Sequence, residues 1–92
     1  MSGRPYTLVT DPVALGSCLE TLRGQPLIGL DTETTGLDPF TSRVRLVQFS
    51  TPDDVFVIDC FAFDALEDPR LVDLLEQPRP IKILHNAKFD AR

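Results

Sequence analysis

The sequence predicts an α/β domain built on a mixed sheet, a three-strand antiparallel meander plus one parallel strand, flanked by helices. Leu27–Asp31, Val44–Ser50 and Val55–Asp59 are short runs rich in apolar, β-branched and aromatic residues. Two stretches with helical spacing each open on Asp-Pro, at Asp11-Pro12 and Asp68-Pro69. The second is followed by another apolar run, Ile81–Leu84, and a strand–helix–strand order favours a parallel, right-handed crossover onto the sheet.

Taken in order, Tyr6–Thr10 reads as a short strand, and Asp11 and Pro12 suit an N-cap and first helical position. Leu15, Cys18, Leu19 and Leu22 then fall at i, i+3, i+4, i+7, one buried helix face, with Gly24 and Pro26 ending the element. Leu27–Asp31 is nearly continuous in apolar character, which predicts a central strand covered on both faces. Gly29 inside it leaves room for close approach of another group, or marks a bulge. Thr51-Pro52-Asp53-Asp54 carries turn chemistry and joins the next two runs into a hairpin. The loop Thr34–Arg43 stays at the carboxylate end of the first long strand as a candidate substrate wall. Leu71, Val72, Leu74 and Leu75 give the second helix its apolar stripe, and Gln77-Pro78 stops it. After Ile81–Leu84, placed beside the first long strand, Asn86 can cap a last helix that runs only to Arg92. So short a helix is marginal alone, so residues 1–92 are expected to be a single domain truncated within that helix, the N-terminal portion of a longer one.

The composition bounds what this domain can be. A chain of 92 residues, 42% hydrophobic and 25% charged, buries one modest core. Its net charge of −5 excludes broad coating of nucleic acid through a basic face, yet not a nucleic-acid enzyme whose bound cations supply local positive charge. Cys18 and Cys60 have no CxxC spacing and are expected to be reduced, which places the chain in the cytoplasm. No run approaches the roughly 18 apolar residues of a membrane span, so no membrane partner is expected.

Chemistry concentrates at the end of the first long strand. Asp31 and Glu33, two apart in an extended chain, project to one side of the sheet. Two anions so close repel unless a cation lies between them, and hard oxygen ligands of this kind suit magnesium or manganese. A solvated strand-end turn is the plainer alternative. Asp90, leaving the neighbouring strand, can converge on the same sheet edge, although a first-turn acid is also common at a helix start. Several carboxylates with few other groups suit phosphodiester hydrolysis by two metal ions roughly 4 Å apart.

Asp31-Thr32-Glu33-Thr34-Thr35-Gly36-Leu37-Asp38-Pro39 and Asn86-Ala87-Lys88-Phe89-Asp90 resemble the first two motifs of the DEDD 3′–5′ exonucleases. With the hairpin and crossover, the chain from Pro5 to Arg92 resembles the ribonuclease D group and the proofreading domain of family A DNA polymerases. The resemblance implies a ribonuclease H-like fold and a catalytic, metal-binding set of Asp31, Glu33 and Asp90 for two Mg2+ or Mn2+ ions. Asp31 would bridge both ions, Glu33 would hold the one that activates water, and Asp90 would support the other. The partner implied is the single-stranded 3′ end of DNA or RNA. Thr34 and the backbone near Thr32 would contact the terminal nucleotide, Leu37 would wedge against its base, and Asn86 would touch the strand. Leu37 could instead simply pack, and Asn86 simply cap. Phe89 is expected in the core, and His85 in a structural or minor substrate-facing role.

The family's third motif, Tyr or His followed four positions later by Asp, has no match: Tyr6 has Thr10 at that distance and His85 has Phe89. These 92 residues alone are therefore expected to be inactive, the remainder of the domain or another chain supplying what is missing. A non-catalytic ribonuclease H-like scaffold or partner-binding module is the alternative from another class. A simple metal-binding domain is a third.

Overall fold

The computed structural model describes residues 5–36 and 43–85. Five strands form one sheet: β1 (Thr7–Val9), β2 (Leu27–Thr34), β3 (Val44–Ser50), β4 (Val55–Asp59) and β5 (Ile81–Leu84), in the spatial order β1-β4-β3-β2-β5. The pairs β2–β3 and β3–β4 are antiparallel and make the expected meander, while β5 lies parallel to β2 as expected. β1 adds a second parallel edge beside β4. That edge was not legible in sequence, because three residues carry no signal of which strand they pair with.

Two helices pack on one face. α1 (Pro12–Arg23) is capped by the Asp11 carboxylate, which accepts the Ala14 N–H at 2.8 Å, and buries Leu15, Cys18, Leu19 and Leu22 as its spacing predicts. Gly24 closes it in ordinary right-handed geometry, so the turn does not depend on glycine's conformational freedom. α2 (Pro69–Glu76) buries Leu71 and Leu74 and is preceded by a 3-10 turn, Ala65–Glu67. Both helices share one core with Val9, Ile28, Val47, Phe49, Phe56 and Ile58. By the register Leu30–Phe49–Phe56 and Thr32–Val47–Ile58, these sheet residues point to the same side. Among the described residues no helix is long and apolar enough to cross a membrane.

Two expectations about β2 are corrected. The strand runs to Thr34 rather than Asp31, because β3 pairs with it as far as Val44 and holds Glu33 and Thr34 in extended geometry. It is also not covered on both faces by the described elements: Ile28 is buried, whereas residues 29–32 are half-buried and Leu27, Glu33 and Thr34 are exposed. Its apolar run reflects an interior position in the sheet between β3 and β5, with the described helices on one side only. Cys60 lies in the turn just past β4. Both thiols are free: burial pushes Cys18 up to about 12, and burial with the Asp59 charge raises Cys60, so neither is an activated nucleophile.

The hairpin turn and the second helix start are built from side-chain caps. Thr51 Oγ1, buried, accepts the Asp53 and Asp54 N–H groups at 3.2 and 2.9 Å. Asp68 caps α2 through the Arg70 N–H and holds the Arg70 guanidinium at 2.8 Å, and that guanidinium also donates to the Pro12 carbonyl of α1. Its hydrogen bonds from the Arg70 side chain, then from the Arg70 backbone, keep the Asp68 carboxyl below its ordinary range. A lowered carboxylate pKa contributes stability that is complete above the unfolded value, about 3.9, and is lost as pH falls through the folded one. Acid titration followed by circular dichroism should therefore show a loss of stability below about pH 4 that is smaller in Asp68→Asn. An identical acid profile for the two proteins would remove Asp68 as a contributor.

Candidate active site

Asp31 and Glu33 sit on the face opposite the two described helices near the end of β2, in line with Gln48 and Leu46 across the β3 ladder. Asp31 is half-buried and Glu33 exposed. Asp31 Oδ1 accepts the Thr32 N–H at 2.9 Å, which fixes the carboxylate and leaves its second oxygen able to face a ligand. The pairing shifts register between Glu33 and Thr34, so that Leu46 and Val44 are the partners and Arg45 is the extra residue. Such a bulge bends the strand and re-aims nearby side chains. It falls beside the two carboxylates, and nothing in the alternation of β3 announces it.

β5 runs beside β2 toward the same end of the sheet. The His85 N–H donates to the Leu30 carbonyl at 2.9 Å, so the backbone leaving β5 departs alongside Asp31. Asn86, Phe89 and Asp90 lie outside the described residues, as does Leu37. Among the described residues no group of three or more His, Cys, Asp or Glu converges, and Asp31 with Glu33 is the acidic pair available there. Two carboxylates on one face form a hard-oxygen donor set that fits a divalent cation of the magnesium or manganese type. Asp59 shares this face through the Glu33–Leu46–Asp59 row, yet its carboxylate turns to its own chain and accepts the Phe61 and Ala62 N–H groups at 2.9 and 3.1 Å.

The predicted nucleotide wall begins with Thr34 and Thr35. Thr34 Oγ1 donates to the Gly36 carbonyl at 3.3 Å. The Thr35 N–H donates to the Arg43 carbonyl at 2.9 Å, and the Arg43 N–H returns to Thr35 Oγ1 at 3.0 Å, so both ends of the loop are clasped at its neck. Thr32 projects to the core-side register with Val47, so it is its backbone that borders the carboxylates.

Gly29 proves to be a close approach and not a bulge. A Cβ there would lie 2.4 Å from Ser50 Oγ and 3.3 Å from His85 Nε2, so the imidazole lies over the glycine on the carboxylate face. Gly29, Ser50, Ile83 and His85 also line a largely apolar cleft of about 340 Å3. Gly29→Ala should lower stability by about 1–3 kcal/mol, because Ser50 must leave its rotamer and His85 must give way. Urea unfolding of Gly29→Ala alone and with Ser50→Ala measures it: the second change should restore most of the loss. A Gly29→Ala protein as stable as wild type would show that the crowding has no cost.

The chain matches the 3′–5′ exonuclease family over residues 6–92. It is 34% identical over 87 residues to DNA polymerase I of Aquifex aeolicus, covering 95% of this chain and 14% of that protein. The crystal structure of Escherichia coli RNase D, an exoribonuclease involved in structured RNA processing, superposes with a TM-score of 0.77 at 28% identity, covering 95% of this chain and 23% of that one. Trypanosoma brucei RNase D in complex with RNA U12 superposes with a TM-score of 0.71 at 25% identity, covering 96% and 32%. The chain thus spans less than a third of each relative. The family match, the sheet order and the position of Asp31 and Glu33 on the interior strand β2 agree: this chain belongs to the 3′–5′ exonuclease family and has the mixed-sheet fold of the ribonuclease D exonucleases.

Proposed function

We propose that this chain is the first part of a metal-dependent 3′–5′ exonuclease domain that removes nucleotides from single-stranded 3′ ends. The observation that carries the reading is the sharing of one face and one end of β2 by Asp31 and Glu33, where β5 delivers the chain toward Asn86 and Asp90. Asp31, Glu33 and Asp90 would hold two magnesium or manganese ions. Bound there, such ions activate water and neutralise the leaving oxygen of a phosphodiester. The chain's own residues would position the strand: the Thr32 backbone and Thr34 against the terminal nucleotide, Leu37 against its base and Asn86 against the strand. With no match to the third motif, the 92 residues by themselves are expected to be inactive, since catalytic groups acting as a unit fail together.

RNA is the ligand in the Trypanosoma brucei structure and DNA the business of the polymerase relative, and discrimination would rest on contacts to the 2′-hydroxyl. The test expresses the polypeptide as its gene encodes it and follows 5′-labelled DNA and RNA strands of matched sequence with magnesium or manganese. Stepwise shortening from the 3′ end that stops with a chelator is the expected result. Intact strands under every condition would instead favour a ribonuclease H-like scaffold that kept two motifs.

A further inference from the structure

The guanidinium of Arg43 lies over the Phe61 ring, 5.2 Å from its centroid, at the end of the sheet that carries Glu33. From this we infer that Arg43 and Phe61 form a subsite for the substrate strand upstream of the terminal nucleotide, taking a backbone phosphate and the face of a base. The inference rests on the exonuclease reading of Asp31 and Glu33 and extends it to residues that the motifs do not include.

Both residues are held through their backbones. The hydrogen bonds of the Arg43 carbonyl and N–H with Thr35 fix the arginine just before β3, beside the end of β2 and two residues beyond the level of Glu33. At roughly 3.3 Å per residue and roughly 4.8 Å between strands, its Cα stands on the order of 8 Å from that of Glu33, a spacing suited to a neighbouring nucleotide rather than the reacting one. Phe61 is set by the turn in which Asp59 accepts its N–H, and its ring is half exposed. A guanidinium held over an aromatic face is restrained there, and its planar set of N–H donors suits a phosphate.

The charge pattern agrees. The chain carries 14 acidic and nine basic residues, and Arg23 and Arg70 are engaged with Asp73 and Asp68. Arg43 makes no ion pair among the described residues, although Asp64 and Glu67 line the same shallow cavity. A cation kept on an aromatic ring at the sheet end that carries Glu33 is placed to offset the repulsion of a phosphate strand by the carboxylates there. Phe61 supplies the stacking that single-strand binding uses without regard to sequence.

The test compares a nucleoside 5′-p-nitrophenyl phosphate, which carries only the terminal nucleotide and the scissile ester, with an octanucleotide, using the polypeptide as its gene encodes it and magnesium. Arg43→Gln should raise KM for the octanucleotide about tenfold with kcat unchanged, and leave the nitrophenyl ester untouched. It should also flatten the dependence of log kcat/KM on log salt by about 0.7, the loss of one single-strand phosphate contact. Phe61→Ala should act in the same direction and Phe61→Tyr should behave as wild type. Octanucleotide kinetics that match wild type in both Arg43→Gln and Phe61→Ala would overturn the subsite while leaving the exonuclease reading intact. Equal losses on both substrates would also overturn it, as damage to the fold or the metal centre. A wild-type protein that hydrolyses neither substrate overturns the exonuclease reading, and the subsite with it.

Discussion

Asp31→Ala should reduce 3′ shortening by the encoded polypeptide at least about a thousandfold while leaving the fold intact. The carboxylate is half-buried on the face opposite the two described helices, and its hydrogen bond comes from the next residue's own N–H. Removing it therefore takes little from the folded protein. Without metal, the melting temperature of the variant should stay close to that of wild type. With magnesium or manganese, wild type should gain stability, about 2.7 kcal/mol at a hundredfold excess over the dissociation constant, and Asp31→Ala should gain much less. Chelation should erase the difference. The two readouts separate a ligand from a structural residue, because a structural carboxylate would lower the melting temperature in every buffer. Full shortening by the variant would remove Asp31 from the site.

Phe49→Ala should destabilise the chain by about 3–5 kcal/mol, the largest stability effect expected of a single substitution here. Phe49 is fully buried on the central β3, with Leu30 of β2 and Phe56 of β4 beside it on the same face and both helices over it. No neighbour can collapse into the space without moving a strand, so the transfer loss and the cavity add. Against a total stability of about 5–15 kcal/mol, such a loss puts much of the population in the unfolded state at 37 °C. Denaturant unfolding measures it directly. Val57→Ala, at a smaller buried residue of the opposite face, removes fewer packed atoms and should cost less.

Each element of the fold was legible to the extent that its signal is local. Asp-Pro starts, the spacing of Leu15, Cys18, Leu19 and Leu22, and the Thr51–Asp54 turn depend on residues within a few positions, and each is found as expected. The extent of β2 was misjudged because Thr32, Glu33 and Thr34 are polar, and their strand character comes from pairing with β3. The supposed cover on its second face has a similar origin: an apolar run reports burial by something, not by which element. The site was legible in part for the same reason. Asp31 and Glu33 share a face by the period of two alone, whereas the bulge beside them, the imidazole over Gly29 and the Arg43–Phe61 stack join residues far apart in the chain.

What the sequence determined by itself is the chemistry of β2: two carboxylates two residues apart on an extended chain must face one way, whatever surrounds them. The tertiary structure decided what stands around that pair. Strand order put β5 beside β2 and the departing chain next to Asp31, and hairpin closure with the loop clasp brought Arg43 and Phe61 to the same sheet end. These neighbours are set by long-range pairing, whose free energy exists only once distant segments have met, so no local pattern encodes them.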